Sequence, residues 1–291
     1  MSTAIGVDVG GTAIKAVLIS ADTTVIRELS VTTPKPDPTG ERTADAIAAC
    51  VRELASDEAI PVGFSAPGLV DDARGVVVDS VNLNWREVPI RELVEARLGR
   101  PVGFIHDVRA GGLAEIAALG DPDPTSVTAF VAVGTGMAAA IFLGRRPLIG
   151  NGWVGEIGQI VFTDGPHAGK RIEQVASAAV LAERMGTANA KLVADLVVAG
   201  DPRATELWDD TAKALAQGLA ALVATIAPDV IILGGGLAEA GELLFAPTRA
   251  WLERLLPGVP LPALRRATHG QLAGARGAAQ VGRSRLESTN E

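Results

Sequence analysis

Cysteine is almost absent from this 291-residue chain. Cys50 stands alone, which excludes an internal disulfide framework and any zinc site built from several cysteines. There is no tyrosine, and aromatic residues make up 3% of the sequence, so few platforms exist on which nucleic-acid bases could stack. Positive charge is also scarce. Lys and Arg number 26 against 34 Asp and Glu, the net charge is −8 and no basic tract occurs, which argues against nucleic acid as the main partner. The first residues show neither a charged n-region nor an apolar h-region, so a cytoplasmic location is expected. Residues 124–144 carry no charge and are long enough to imitate a membrane span. Their centre reads Val133-Gly134-Thr135-Gly136-Met137 between β-branched flanks, which favours a buried strand pair and no membrane partner.

What the chain does have is apolar residues, 48% of the total, enough for a sizeable core in two domains or one large one. Its N-terminal stretch, Ile5 to Ile19, alternates on both sides of Gly10-Gly11 and so predicts two strands joined by a glycine turn. Glycines there can take positive φ and let N–H groups converge on an anion. Asp8 precedes them and would repel a bare phosphate unless a cation lay between; Mg²⁺, which rides on nucleotide phosphates, is the natural candidate. Thr12 adds a hydroxyl. The alternative is an ordinary tight hairpin in which Asp8 bonds its own turn. A dinucleotide fingerprint is excluded, since its glycines must lead into a helix.

Strands are expected at Thr24 to Val31, Val62 to Phe64, Gly75 to Val78 and Val102 to Ile105, with helices at Thr43 to Leu54, Ile90 to Leu98 and Arg109 to Leu119. The second half repeats the scheme: a hairpin around Gly134-Thr135-Gly136, a third strand at Ile157 to Phe162, and helices at Glu173 to Met185, Ala190 to Val198 and Thr205 to Ile226. Then come a strand ending in Gly234-Gly235-Gly236, a helix at Glu242 to Leu256, a strand near Leu264 and a last helix, Ala275 to Leu286. This is an α/β pattern with a mixed sheet in each half.

Four loops follow the carboxyl ends of predicted strands, where open α/β sheets bind ligands: Asp8 to Thr12, His106-Asp107, Gly134 to Gly136 and Gly234 to Gly236. Two glycine hairpins across a cleft could hold a nucleotide's phosphates, and the triple glycine, opening a helix, could admit the nucleoside. Each alone is better read as a plain turn; together they point to a nucleotide. Asp107, between a strand and a helix, suits either an N-cap or a general base taking a proton from a hydroxyl that attacks a γ-phosphate. Glu156 between glycines and Glu173 at a helix start suit a polyol, or in the case of Glu173 the helix dipole.

Taken in order, Asp8-Val9-Gly10-Gly11-Thr12, Ser65-Ala66-Pro67-Gly68-Leu69-Val70-Asp71, Asn82-Leu83, Asp107, Gly134-Thr135-Gly136, Gly155-Glu156-Ile157-Gly158 and Gly234-Gly235-Gly236 resemble the ROK-family sugar kinases over nearly the whole chain. The resemblance implies a duplicated ribonuclease H-like (actin-like ATPase) fold with ATP and sugar in a cleft. A small N-terminal domain would span 1–108, with the last helix packing back on it, and a larger one 109–291. It aligns Asp107 with the catalytic base, Asp8 with the residue near Mg²⁺, and Gly68, Asn82, Asp107, Glu156 and Glu173 with sugar contacts. It implies γ-phosphate transfer to a hexose 6-hydroxyl, and a homodimer.

Three departures stand out. The family's Asn-Asp-Ala-Asn is His106-Asp107-Val108-Arg109 here, placing an imidazole at one sugar contact. Gln159 replaces a histidine that touches sugar and zinc, and the cysteine segment that follows is replaced by Asp164 to Arg171, so no zinc is expected; Lys170 or Arg171 pairing with a carboxylate would hold that loop, with His167 a surface residue. The acceptor stays open among hexoses, N-acetylated hexosamines and cyclitols, and the donor between ATP and polyphosphate, with the triple glycine favouring ATP. The competing reading is a non-catalytic sugar or nucleotide sensor. A DNA-binding repressor of the same superfamily would need a helix-turn-helix ahead of the first strand, and none is read there.

Overall fold

The alternation of Ile5, Val7 and Val9 with Gly6 and Asp8 builds the central strand of the first sheet, and it decides which residues reach the site. The computed structural model describes residues 3–120 and 122–289. They form two compact units, one of residues 1–118, 149–153 and 272–291, the other of 119–148 and 154–271.

In the first unit, strands β1 (Ala4–Val9), β2 (Ala13–Ile19) and β3 (Val25–Thr32) form an antiparallel meander. After helix α1 (Glu41–Leu54), β4 (Val62–Ala66) adds in parallel beside β1. A small antiparallel sheet of β5 (Leu69–Asp71), β6 (Val76–Ser80) and β7 (Trp85–Val88) follows, then α2 (Ile90–Leu98), β8 (Gly103–His106) and α3 (Asp107–Ala118). The main sheet runs β3-β2-β1-β4-β8. One face of β1, with Ile5, Val7 and Val9, packs in a core with Ala44, Ile47, Val51 and Leu54 of α1.

The second unit repeats the order. Strands β9 (Val127–Val133), β10 (Met137–Leu143) and the two-residue β11 (Arg146–Pro147) are antiparallel. Helices α4 (Glu173–Ala176), α5 (Ala178–Met185), α6 (Ala190–Val198) and α7 (Pro202–Ile226) come next, then β12 (Val230–Gly234), α8 (Glu242–Leu255) and β13 (Ala263–Arg266). Its sheet runs β11-β10-β9-β12-β13, the same strand plan as the first. Helix α7 buries Trp208, Leu215, Leu219 and Leu222 in the core of this unit.

The chain ends in α9 (Ala273–Thr289), which belongs to the first unit. It lies on the sheet face opposite α1, where Ala275 and Ala279 pack with Ala4, Val17 and Ile19 and a row of glycines lets its backbone come close. Gly6, Gly63 and Gly103 are register neighbours across β1, β4 and β8. A Cβ on Gly6 would sit 1.8 Å from the Ala275 carbonyl oxygen, and one on Gly63 2.0 Å from that of Ala278. Gly277 of α9 in turn meets α3, where an added Cβ would lie 1.7 Å from the Ala110 carbonyl oxygen. Glycine is used here for close backbone approach.

Several expectations change. The unit boundary falls after Ala118, not after residue 108, because α3 packs on α9. The third strand of the second half is β11; Ile157–Gln159 is a 3₁₀ turn, since the Gly155 and Gly158 backbones press on the carbonyls of Ala139 and Met137 and leave no room for an extended run. Ser177 splits the helix expected at 173–185 by capping α5, its Oγ accepting the Val180 N–H at 3.3 Å. The triple glycine turns into a short 3₁₀ segment, Ala238–Ala240, before α8. No helix among the described residues is long and apolar enough to cross a membrane.

Candidate active site

In the first unit the sheet's alternation puts Asp8 on the same face as Gly6, the face covered by α9. Its carboxylate lies against the first turn of that helix: a Cβ on Gly274 would stand 2.6 Å from Asp8 Cγ, so a larger residue there would displace it. On the neighbouring strand Ser65, paired in register with Asp8, donates its hydroxyl to Oδ1 at 2.7 Å. Burial, and then the charge of Asp107, push the Asp8 pKa up to about 6.

The Gly10-Gly11 turn is built for closeness and not for handedness. Neither glycine takes positive φ; a Cβ on Gly10 would be 2.9 Å from the Ala13 carbonyl oxygen and one on Gly11 3.3 Å from Asn82 Cβ. The Gly10 N–H is engaged by Ala13 O at 2.9 Å, while Thr33 donates its hydroxyl to Gly10 O at 2.7 Å. Among the described residues the N–H groups of Gly11 and Thr12 have no backbone acceptor, and both residues border a cavity of about 590 Å³ shared with Thr33, Lys35 and Arg42. Asn82 is exposed in the turn after β6. Gly68 has φ +114°, and a Cβ there would lie 2.3 Å from Asp79 O, so its backbone geometry requires glycine.

Asp107 is the first residue of α3. Its Oδ1 accepts the N–H of the adjacent Val108 at 2.7 Å, a bond to the next residue instead of the N-cap bond to the second or third. The carboxyl is 30% exposed. Burial is the main cause that lifts its pKa to about 6, against the lowering effects of the Val108 N–H and of Arg109. His106 Nε2 lies 3.2 Å from the same Oδ1, with the imidazole 8% exposed; burial and the Arg109 charge press its pKa down to about 3.

Two residues here carry weight that sequence reasoning did not assign. Asp72 pairs with the buried Arg109 at 3.0 Å and accepts the His106 backbone N–H at 3.1 Å, which pins the β8–α3 junction. Ser65 orients Asp8. The signal for Asp72 was available: an arginine in the apolar first turn of a predicted helix needs a carboxylate.

In the second unit the two glycine loops meet. Gly134–Gly136 closes a turn with Gly134 N–H to Gly136 O at 3.0 Å, and Leu237 N, after the triple glycine, donates to Val133 O at 3.2 Å. Gly235, at φ +84°, would bring a Cβ 2.4 Å from Val133 O, and Gly234 would drive one into the Phe130 ring. A Cβ on Gly136 would sit 3.2 Å from Glu173 Oε2, so the Thr135 turn and Glu173 are neighbours. Gln159 donates to Glu173 at 3.0 Å, and Arg171 donates to Gln159 at 2.9 Å and lies 3.5 Å from Glu173. Glu156 precedes the 3₁₀ turn and accepts the Gln159 N–H through its carbonyl at 3.0 Å.

The cysteine-free loop is held as expected at Arg171 and by a second clamp that was not expected. His167 is partly buried, its Nε2 2.8 Å from Asp210, which also receives Arg184 at 2.6 Å. Among the described residues no group of three or more His, Cys, Asp or Glu side chains could hold a metal ion. Asp8 alone fits a cation bound mostly by water and phosphate oxygens, as Mg²⁺ is.

The ROK family model matches residues 4–284. A glucokinase of Streptomyces coelicolor is 31% identical over 315 residues, covering 97% of this chain and 98% of that protein. An N-acetylmannosamine kinase of Yersinia pseudotuberculosis is 29% identical over 98% of this chain and all of that protein. The crystal structure of a ROK family glucokinase from Streptomyces griseus in complex with glucose and AMPPNP superposes with a TM-score of 0.84 at 29% identity, covering 97% of this chain and 100% of that one. With the repeated strand plan of its two units, the chain therefore belongs to the ROK family, as a carbohydrate kinase of the duplicated ribonuclease H-like, actin-like ATPase fold.

Proposed function

We propose that the protein transfers the γ-phosphate of ATP to a hydroxyl of a hexose or hexose-like acceptor, the 6-hydroxyl in the hexose case, with Asp107 as general base. The single observation carrying this is the Asp107 carboxyl, at the mouth of α3, partly exposed, with its pKa lifted to about 6. A base with that pKa is ionised at neutral pH yet retains proton affinity. It takes the acceptor's proton as that oxygen bonds to the γ-phosphorus and the bond to the ADP oxygen breaks, and such a base contributes about 10² to 10⁴ in rate.

The N–H groups of Gly11 and Thr12 and the Gly134–Gly136 turn are assigned to the phosphates, and Gly234–Gly236 to the nucleoside end. Gly68, Asn82, His106, Glu156, Gln159 and Glu173 are assigned to the acceptor. Mg²⁺ held on the phosphates near Asp8 would screen their charge. ATP as donor is supported by the AMPPNP complex of the Streptomyces griseus glucokinase, and a hexose or N-acetylated hexosamine acceptor by the names of the relatives.

The test is ADP release with Mg²⁺ across a panel of hexoses, N-acetylhexosamines and cyclitols, with Asp107→Asn beside the wild type. Turnover lost in the variant by at least roughly 100-fold is expected. Saturable sugar binding without ADP release by the wild type would replace this reading with the sensor.

A further inference from the structure

Arg171 does more than its loop requires. The backbone around it is already laced: Phe162 N–H donates to Lys170 O at 2.9 Å, Gly169 N–H to Phe162 O at 2.8 Å and Ile172 N–H to Ile160 O at 2.9 Å, and His167 is clamped to Asp210. The guanidinium is turned to other partners. Its Nη1 donates to Gln159 Oε1 at 2.9 Å, and Gln159 Nε2 donates to Glu173 Oε1 at 3.0 Å. Arg171 Nη2 stands 3.5 Å from that same Glu173 oxygen, so guanidinium, amide and carboxylate close a triangle.

The order of these groups fixes the amide. A guanidinium only donates, a carboxylate only accepts and a primary amide does both. One orientation of the Gln159 amide satisfies both neighbours, with Oε1 towards Arg171 and Nε2 towards Glu173; turned over, it would set its NH₂ against the guanidinium and its oxygen against the carboxylate. Two atoms are left over. One hydrogen of Gln159 Nε2 remains unused, and among the described residues Glu173 Oε2 accepts no hydrogen bond. A Cβ on residue 136 would crowd that oxygen at 3.2 Å, so Gly136 keeps it uncovered. A donor and an acceptor thus stand on neighbouring side chains. A hydroxyl can serve either, and two adjacent hydroxyls of a hexose or cyclitol satisfy both.

We propose that Arg171 is a positioning residue for the acceptor: through the Gln159 amide it sets a donor at Nε2 beside the open Oε2 of Glu173, a pair that reads two neighbouring hydroxyls of the sugar. The inference rests on the assignment of Gln159 and Glu173 to the acceptor. It goes further in giving Arg171 a part in recognition and in dividing the Glu173 oxygens between an internal partner and the ligand.

The experiment compares Arg171→Met, Arg171→Lys, Gln159→Ala and the double variant combining Gln159→Ala with Arg171→Met, using the acceptor that turns over. Arg171→Met raises the KM for the acceptor roughly 10-fold and leaves kcat within about threefold. Arg171→Lys, which keeps the charge but not the fork, falls between it and the wild type. In the Gln159→Ala background the same Arg171→Met change costs less than about threefold in KM, because the group it acts through is gone. An unchanged KM in Arg171→Met, a loss confined to kcat, a Lys variant no better than Met, or equal losses in both backgrounds overturns the proposal. So does a lowered melting temperature with an unchanged KM, the signature of a merely structural side chain. Single-deoxy analogues of the acceptor, used as competitive inhibitors, test the hydroxyl pair: at least one binds wild type and Arg171→Met equally, and the same loss for every analogue overturns the pairing. A wild type that phosphorylates no acceptor sinks the assigned function; a KM untouched in Arg171→Met, while Asp107→Asn abolishes turnover, sinks this inference alone.

Discussion

Replacing Asp107 with asparagine should abolish turnover and, at alkaline pH, stabilise the fold. The carboxyl pKa rises from 3.8 in the unfolded chain to about 6 in the native one, mainly through burial. Between those values the native state holds a proton that the unfolded state has released, so stability falls as pH rises through the window, and the full penalty is in force above it. One pKa unit corresponds to about 1.4 kcal/mol, so the ionised carboxylate costs at most about 3 kcal/mol at pH 8. At pH 4 the same linkage leaves about 0.5 kcal/mol. An asparagine side chain has nearly the same shape and no charge to desolvate. The variant should therefore gain up to about 3 kcal/mol over the wild type at pH 8 and almost nothing at pH 4. Urea unfolding followed by tryptophan fluorescence reads this, since Trp85 is 1% exposed within the first unit and reports its loss. An asparagine variant no more stable than the wild type at pH 8, or one whose advantage is as large at pH 4, would refute the claim that Asp107 is a desolvated carboxylate.

Three further outcomes are expected. Asp72→Ala strands the Arg109 guanidinium, 2% exposed, and should cost about 3 to 5 kcal/mol by chemical denaturation; a change below about 1 kcal/mol would mean the ion pair is better solvated than it stands here. Gly63→Ala puts a methyl 2.0 Å from the Ala278 carbonyl oxygen, so α9 must lift from the sheet, at roughly 3 kcal/mol or more; an unchanged melting temperature would contradict the glycine seam. Elemental analysis should find no stoichiometric zinc, and a chelator should leave the melting temperature in place, because Arg171 with Gln159 and Glu173, and His167 with Asp210 and Arg184, already hold the loop.

Much of this molecule could be read along the chain. The alternation around Gly10-Gly11, the helix periodicity of α1 and α2 and the strand-to-helix position of Asp107 are local patterns, repeated every two or about 3.6 residues, and they survive without knowledge of any neighbour. The same reading placed a strand at Ile157 to Phe162 and gave the first glycines a left-handed role. Both misses have one cause: what those backbones do is set by atoms outside the local pattern, the carbonyls of Ala139 and Met137 in one case and the Ala13 carbonyl and Asn82 in the other.

The sequence by itself determined the α/β class, the duplicated order of elements and the identity of the acids and glycine loops that the proposed chemistry uses. Only the tertiary structure decided how those acids behave. The lifted pKa values of Asp8 and Asp107 come from burial, and the glycine row on which α9 lies joins three strands that sequence holds far apart. Hydrophobic periodicity is a property of neighbours in the chain. Desolvation, ion pairing and close backbone approach are properties of neighbours in space, and they exist only once the sheet has brought Asp72 to Arg109 and Gly6 to Gly63.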